Sequence, residues 1–205
     1  SSRGPVAFVY EAGVCGFEIH RQISAMGHPC SVIAPGLTPV RPGDRVKTDW
    51  RDAEKLAHFQ RCGELVEIRI PTREEEANRD LPRAREDALK DRLRARHRLG
   101  QFLLRQGRIY RTTKSSWGVN HRLWLKAQRF EWAALQQTFE ANLRAVEDVE
   151  ARLEVLEQQV FELAQQPAYR KAVEYLCSLK GIKIISAITL ILETQDFRRF
   201  KSARE

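Results

Sequence analysis

The sequence predicts an α/β segment followed by a mostly α-helical chain. In about the first seventy residues, short runs of β-branched and aromatic residues alternate with amphipathic stretches, as in a unit of strands joined by helices. From about Thr72 onward, apolar residues recur every three or four positions with few helix breakers. We therefore expect three regions, at residues 1–71, 72–166 and 167–205.

The first region predicts a strand, a helix and a second strand. Residues 6–10 (VAFVY) form the first strand candidate, residues 16–26 the helix, and residues 30–34 the second strand, which Pro35 and Gly36 end. A unit of about thirty residues has the size of a right-handed parallel crossover. A further helix is expected to open at Thr48 or Asp49 and to run to about Cys62.

The second region predicts long helices. One runs from residue 73 to about 106, and a loop around residues 107–118 follows it. A heptad-like seam then predicts an antiparallel helical hairpin or an intermolecular coiled coil that makes a homo-oligomer. The seam consists of Phe139, Leu143, Val146, Val149, Leu153, Leu156, Val160 and Leu163. Because this segment is acidic and the earlier helix is basic, the two can pair in cis or between subunits.

The net charge of +8 is concentrated in one segment, which suggests a surface for polyanions. Residues 83–114 hold eleven Lys and Arg against three acidic residues. Clustered like charge repels itself, and a phosphate backbone would relieve that repulsion. A solvated helix face explains the charge equally well. The candidates for phosphate contact on the basic helix are Arg83, Arg85, Arg92, Arg94, Arg96 and Arg98.

Other patterns exclude several classes of protein. No stretch of eighteen apolar residues is present, so we expect no membrane span. The four Cys lie far apart without a CxxC motif, which predicts reduced, buried thiols in a cytoplasmic protein. The five His form no HxH or HxxxH pair, and a histidine metal site is therefore not expected. Trp117, Trp124 and Trp132 would share one face if their helix is continuous, which favours packing over base stacking.

The third region has the layout of a helix-hairpin-helix. The stretch LKGIKIISAITLILE places a Gly turn before an apolar helix, and free backbone N–H groups at such a turn can hold a phosphate. Lys183 stands where a second Gly is usual. An ordinary helical hairpin fits the pattern as well, and Lys183 is the candidate for a DNA contact if the clamp is real.

Three carboxylates stand where a site is expected. Glu11 follows the first strand, and α/β folds put their sites at the carboxyl ends of parallel strands. Asp49 and Asp52 are three apart on the predicted helix and so share one face. Several acids meeting in one place would suit paired Mg²⁺ ions that act on a phosphodiester. The alternative is structural, because Asp49 can cap the helix and an acid in its first turn is favoured.

Four blocks together resemble a known family. VYEAGVCGFEIHRQI, KTDWRDAEKLA, RDLPRAREDALKDRLRARHRLGQFLLRQGR and LKGIKIISAITLILETQDFRRF are similar, in the same order, to the DEDD-type bacterial insertion-sequence transposases of the one-hundred-and-ten insertion-sequence family. The resemblance implies a RuvC-like (ribonuclease-H-like) domain, a coiled-coil region and the start of a helix-hairpin-helix-like transposase domain. It also implies Mg²⁺ as cofactor, DNA transposition and recombination as the activity, a structured guide RNA as partner, and a nucleoid-associated location in the cytoplasm.

The resemblance assigns roles to particular residues. Glu11, Asp49 and Asp52 match three of the family's four metal-binding acids, while the first Asp and the nucleophilic Ser have no counterpart in the chain. We therefore expect a partial RuvC-like domain, a chain truncated at both ends, and no catalysis by this chain alone. The alternative function is a non-catalytic helical module that binds nucleic acid or assembles through the coiled coil.

Overall fold

The computed structural model describes residues 6–38, 48–111, 117–200 and 202, and the chain divides into two compact units. The first unit spans Ser1–Glu74 and the second spans Glu75–Glu205. The described residues are mostly helical, with a small parallel sheet in the first unit. This confirms an α/β segment followed by a mostly α-helical chain.

The first unit contains the predicted strand, helix and strand. Strand β1 (Phe8–Glu11) pairs in parallel with β2 (Cys30–Ile33), and helix α1 (Glu18–Ala25) connects them. The register places Phe8 opposite Cys30 and Glu11 opposite Ile33. The Tyr10 hydroxyl donates a hydrogen bond of 2.9 Å to the Gly16 carbonyl and closes the turn between β1 and α1. Val32 and Ile33 are almost fully buried and form the centre of this small sheet.

Helix α2 (Asp49–Cys62) follows with both of its ends capped. The Thr48 hydroxyl accepts a hydrogen bond from the Arg51 N–H at 3.4 Å, and Gly63 takes the left-handed conformation (φ 70°) that commonly ends a helix. Beyond α2, the Ile68 N–H donates to the Val32 carbonyl at 2.9 Å, so an extended segment adds to the open edge of β2. The sequence did not predict this pairing.

The second unit is helical. It contains nearly all of α3 (Arg73–Arg105), followed by α4 (Val119–Lys126), α5 (Ala133–Gln165), α6 (Pro167–Cys177) and α7 (Ile184–Thr194). Helices α3 and α5 run antiparallel, because Arg85 near the start of α3 pairs with Glu157 near the end of α5, whereas Arg96 further along α3 pairs with Glu150. The predicted pairing of a basic with an acidic helix is therefore made in cis.

Two apolar clusters hold the antiparallel pair together. At one end, Leu99 and Phe102 of α3 pack with Phe139 and Val146 of α5 and with Leu125 of α4. The other cluster joins the end of α5 to α6 and α7, and Leu81 of α3 packs against it; it contains Val160, Leu163, Ala164, Val173, Ala187, Ile188, Ile191 and Leu192. Five of the eight predicted seam positions are thus buried: Phe139, Val146, Leu153, Val160 and Leu163.

The third predicted region forms a helical hairpin. Pro167 opens α6, where a missing N–H costs nothing, and Gly181 (φ 95°) lies in the turn before α7. Small Ala187 is fully buried where α7 packs closely against its neighbours. The helix-hairpin-helix-like role of this turn stays a prediction, as do the boundaries after residues 71 and 166.

The three tryptophans do not share one helix, since Trp117 precedes α4, Trp124 lies in it and Trp132 caps α5, with the chain turning between the helices. The four cysteines are free, but Cys15 and Cys62 are exposed, so the prediction of buried thiols is wrong for them. None of the helices in the described ranges is long and apolar enough to cross a membrane.

Candidate functional site

The three predicted metal ligands all lie in the first unit. Glu11 is the last residue of β1, and its carboxylate accepts a hydrogen bond of 3.3 Å from the Thr38 hydroxyl. Asp49 is exposed and Asp52 half-buried in the first turn of α2. Because Thr48 caps this helix, the cap role that offered a structural explanation for Asp49 is already taken. A favourable interaction with the helix dipole remains for both aspartates.

One hydrogen bond joins the end of α2 to the parallel sheet. The Gln60 amide, near the end of α2, donates a hydrogen bond of 3.2 Å to the Ser31 hydroxyl near the start of β2. The C-terminal end of α2 therefore lies near the start of β2, whereas Glu11 stands at the carboxyl end of β1. This is the edge where parallel α/β sheets place their sites.

The donor atoms suit Mg²⁺, which prefers carboxylate oxygens, but their placement does not form a metal site. No group of three Asp, Glu, His or Cys side chains close enough to hold an ion together occurs in residues 6–38, 48–111, 117–200 and 202. The three carboxylates of this chain do not fit a metal pair as they stand.

Four of the six arginines predicted to contact phosphate are held in ion pairs within the second unit. Arg83 donates two hydrogen bonds to Glu193, of 2.7 and 2.8 Å, and these raise the pKa of the guanidinium despite its partial burial. Arg85 pairs with Glu157 at 2.5 Å. The other two pairs join Arg94 to Asp91 and Arg96 to Glu150. Planar guanidinium groups suit such carboxylate pairs well.

Glu150 is the centre of the most buried of these pairs. One of its oxygens accepts from Arg96, and the other accepts from Arg122 at 2.7 Å. The Arg96 guanidinium lies 4.5 Å from the centre of the Trp117 ring, so one arginine joins a carboxylate to an aromatic face. Burial would raise the pKa of Glu150, but the hydrogen bonds from Arg122 and Arg96 outweigh it and lower that pKa.

A second carboxylate links the two long helices. Asp91 of α3 accepts hydrogen bonds from Arg94 on the same helix and from Arg152 of α5, the latter at 2.5 Å. Both hydrogen bonds lower the pKa of Asp91. The basic and acidic faces of α3 and α5 therefore neutralise each other along much of their length.

Two predicted arginines and the predicted lysine are not engaged in this way. Arg98 is exposed and Arg92 half-buried, and neither forms an ion pair with another described residue. Lys183 is exposed and precedes the first turn of α7. Their role in nucleic-acid binding stays a prediction, and for Arg83, Arg85, Arg94 and Arg96 it would require exchange of an intrachain carboxylate for a phosphate.

Other exposed basic residues were not singled out from the sequence. They lie where α3 ends and around α4, and they are Arg105, Arg108, Arg111, Lys126 and Arg129. The sequence contains a signal that identifies them, since no acidic residue occurs between Asp91 and Glu131, a stretch that holds eleven Lys and Arg. A charge count that stops at residue 114 misses Arg122, Lys126 and Arg129.

An aromatic group surrounds His121 beside this basic stretch. Its ring stacks on Trp124 (5.6 Å between centres, 16° between planes) and meets the Trp117 and Tyr110 rings. The Nδ1 atom of His121 accepts a hydrogen bond of 3.0 Å from the Trp117 backbone N–H, which holds Trp117 at an unusual positive φ of 71°. Burial, followed by the nearby Arg122 and Arg96, lowers the pKa of His121.

Proteins similar to this chain are named as transposases. The chain is 38% identical over 200 residues to transposase y4qE of Sinorhizobium fredii. This match covers 98% of the chain and 48% of that protein. It is also 35% identical over 196 residues to the transposase for insertion sequence element IS1533 of Leptospira borgpetersenii. This match covers 95% of the chain and 57% of that protein. The chain thus spans about half the length of these relatives. No family model matches it.

Proposed function

We propose that this chain is the part of an insertion-sequence transposase that holds three acids of a RuvC-like, DEDD-type catalytic domain and a helical nucleic-acid-binding arm. Similarity to proteins named as transposases along 95% or more of the chain carries this proposal. The whole protein would bind DNA, be directed by a structured guide RNA, and cleave and exchange DNA strands with Mg²⁺ as cofactor.

The first unit supports the catalytic part of the proposal. Glu11 ends a strand of a parallel pair, and Asp49 and Asp52 occupy the first turn of a helix in the same unit. We assign these carboxylates to metal binding in a protein that also supplies the fourth acid. With three acids that do not form a cluster, we expect the 205-residue chain to bind divalent metal weakly and to cleave no DNA.

A metal titration tests the carboxylate assignment without relying on activity. Mn²⁺, used in place of Mg²⁺, broadens NMR signals of residues near its binding site, and we expect the broadening at residues around Glu11, Asp49 and Asp52. The double variant Asp49→Asn/Asp52→Asn should lose it. The control Glu54→Gln/Glu64→Gln removes the same charge from the same unit and should retain it. Broadening that survives in the Asp variant would overturn the assignment.

A cleavage assay tests the expected lack of activity. Purified chain, Mg²⁺ and a supercoiled plasmid should give no nicked product above that of the Asp49→Asn/Asp52→Asn variant. Cleavage that the variant abolishes would show that the three acids are sufficient, and the expectation of an inactive chain would be wrong.

A second candidate function is a non-catalytic nucleic-acid-binding or assembly module. The exposed basic residues around α4 favour the binding half of this candidate. Much of the α5 seam is covered by α3 and α7 within the chain, so a homo-oligomer would have to use other surface of the helices. Sedimentation at increasing concentration separates the two uses, since a strict monomer would remove the assembly role.

A further inference from the structure

One segment of the helical unit lacks acidic residues. Between Asp91 and Glu131 the chain contains eleven Lys and Arg and no Asp or Glu. This stretch comprises the second half of α3, the connection to α4, and α4 itself. The remainder of the described second unit carries both signs of charge. There Arg83 and Arg85 of α3 meet carboxylates of α7 and α5, and Arg152 of α5 meets Asp91 of α3.

Ion pairing sorts the cations of this stretch into two groups. Arg94, Arg96 and Arg122 are held by Asp91 and Glu150, which lie outside the stretch or at its edge. Six other basic side chains are exposed and form no ion pair with a described residue. We call these the basic end surface: Arg98, Arg105, Arg108, Arg111, Lys126 and Arg129.

The fold brings members of the basic end surface together. Arg98 and Arg105 are seven residues apart on α3 and so share one face of that helix. Arg108 donates a hydrogen bond of 3.4 Å to the Arg129 carbonyl, and its guanidinium lies 5.7 Å from the Phe130 ring centre. Arg129 in turn donates to the Lys126 carbonyl at 2.9 Å. The turn after α3 therefore contacts the turn after α4.

Among the described residues, these six cations form no ion pair, although Arg108 and Arg129 donate hydrogen bonds to backbone carbonyls. Side chains of one sign gathered on a surface repel each other, and this repulsion lowers stability unless an external anion relieves it. A phosphate backbone supplies regularly spaced negative charge and releases its own bound cations when it is neutralised, which makes it the best match to a row of exposed arginines. A single small anion would meet only one or two of the six groups.

An exposed aromatic side chain lies next to this surface. Trp132 follows Arg129 by three residues, directly precedes α5 and is 67% exposed, whereas Trp117 and Trp124 are partly buried against the apolar cluster. Proteins that bind unpaired strands combine basic residues along the backbone with aromatic rings on which bases stack. Trp132 supplies such a ring for a base that is not paired.

We propose that the basic end surface binds the phosphate backbone of a DNA strand and that Trp132 stacks on an unpaired base of that strand. The inference rests on the proposed function, because it names where the proposed transposase holds DNA. It places the contact on residues other than Arg83, Arg85 and Arg96, whose guanidinium groups are committed to carboxylates in the same chain.

Matched charge variants test the surface in the full 205-residue chain. Arg105→Gln/Lys126→Gln removes two charges from the surface, and Arg170→Gln/Lys171→Gln removes one Arg and one Lys from α6. Binding of a fluorescent 20-nucleotide single strand is measured by anisotropy from 50 to 300 mM salt. Six phosphate contacts predict a slope of log K against log salt of about −4, and loss of two contacts changes it to about −3.

The two variants are expected to differ clearly. The surface variant should bind about tenfold or more weakly at 100 mM salt, and the α6 variant should stay within about twofold of the original chain. Far-UV circular dichroism and thermal melting confirm that both variants are folded. Equal weakening by both variants, or an unchanged slope in the surface variant, would overturn the assignment.

Two further comparisons test the kind of strand. A single strand should bind more tightly than a duplex of the same length, and Trp132→Ala should remove this preference without changing the salt slope. No preference in the original chain would overturn the stacking part. An RNA of the same sequence that binds tenfold more tightly than DNA would overturn the choice of DNA.

Failure of the inference is distinguishable from failure of the proposed function. DNA binding that is unaffected by the surface variant but lost in Lys183→Gln overturns the surface and leaves a DNA-binding protein. Absence of any binding at 50 mM salt overturns both. Neither result bears on the metal titration at Asp49 and Asp52, which tests the catalytic part separately.

Discussion

Replacing Glu150 by Gln should destabilise the helical unit more than any replacement of an exposed glutamate. The Glu150 carboxylate satisfies Arg96 with one oxygen and Arg122 with the other, and only 18% of its side chain is exposed. An amide at this position has one oxygen that can accept and carries no charge, so at least one guanidinium loses its partner. The Arg96 group that lies over Trp117 would then be partly buried and uncompensated.

The size of the effect follows from the burial of the three groups. Two unit charges about 4 Å apart attract by roughly 4 kcal/mol at the effective dielectric of a protein surface, before the cost of removing them from water is subtracted. Hydrogen bonds to charged groups contribute about 1.5–3 kcal/mol net. Arg122 is 44% exposed, so its share is reduced by solvent. We expect Glu150→Gln to lower the free energy of unfolding by about 2 kcal/mol.

The stabilisation by the Glu150 carboxylate should depend on pH. The pKa of Glu150 is lowered in the folded chain, so its contribution is fully present above the unfolded carboxyl value of about 4.3 and is lost as pH falls through the folded pKa. The difference between the original chain and Glu150→Gln should therefore shrink below about pH 4. Urea unfolding of both proteins, followed by circular dichroism at about pH 7, 5 and 3.5, measures this difference in the free energy of unfolding.

An exposed glutamate provides the control. Glu174 pairs with Arg170 at 3.9 Å, and both side chains are about two-thirds exposed. Glu174→Gln should change the free energy of unfolding by less than about 0.5 kcal/mol. If Glu150→Gln costs no more than this control, or if its cost is the same at every pH, the argument from the partly buried pair is wrong.

Two further predictions concern the same unit. Leu99→Ala, at a fully buried position, should cost about 3 kcal/mol in urea unfolding, whereas Leu93→Ala, 57% exposed on the same helix, should cost under about 1 kcal/mol; similar costs would contradict the packing of α3 on α5. The pKa of His121 is lowered in the folded chain, because the fold favours the neutral ring. Its contribution to folding stability is therefore present above the unfolded pKa of about 6.5 and is lost as pH falls through the folded pKa. The variant His121→Asn keeps a hydrogen-bond acceptor but does not titrate, so its melting temperature should drop less between pH 7 and 5 than that of the original chain. Equal drops in the two proteins would contradict the role of His121.

The helices and strands follow from local signals that the sequence carries in full. The change from β-branched runs to a period of three or four residues separates the α/β segment from the helices, and helix ends fall at residues such as Thr48, Gly63 and Pro167. The seam predicted an antiparallel hairpin or a coiled coil. It could not decide between them, because an apolar stripe is equally buried by a helix of the same chain or of another.

The candidate sites were less predictable because they depend on which groups meet. Charge counting places arginines on α3 but does not show that Arg83 reaches Glu193, a residue 110 positions away. A charge count to residue 114 omits Lys126 and Arg129, because the connection after α3 separates them in sequence from the basic residues of that helix. The carboxylates were placed correctly on their elements, whereas their distances depend on packing that no spacing in the sequence encodes.

The antiparallel pairing has a consequence for the order in which the chain is made. The carboxylates that neutralise Arg96, Arg85 and Arg83 follow them by 54, 72 and 110 residues. A ribosome adds roughly 5–20 residues per second, so α3 leaves it with its basic face and apolar stripe uncovered for several seconds to about 20 seconds. Helix α3 therefore gains its native neighbours from its C-terminal end towards its N-terminal end, and the contact of Arg83 with Glu193 forms only after α7 has been made.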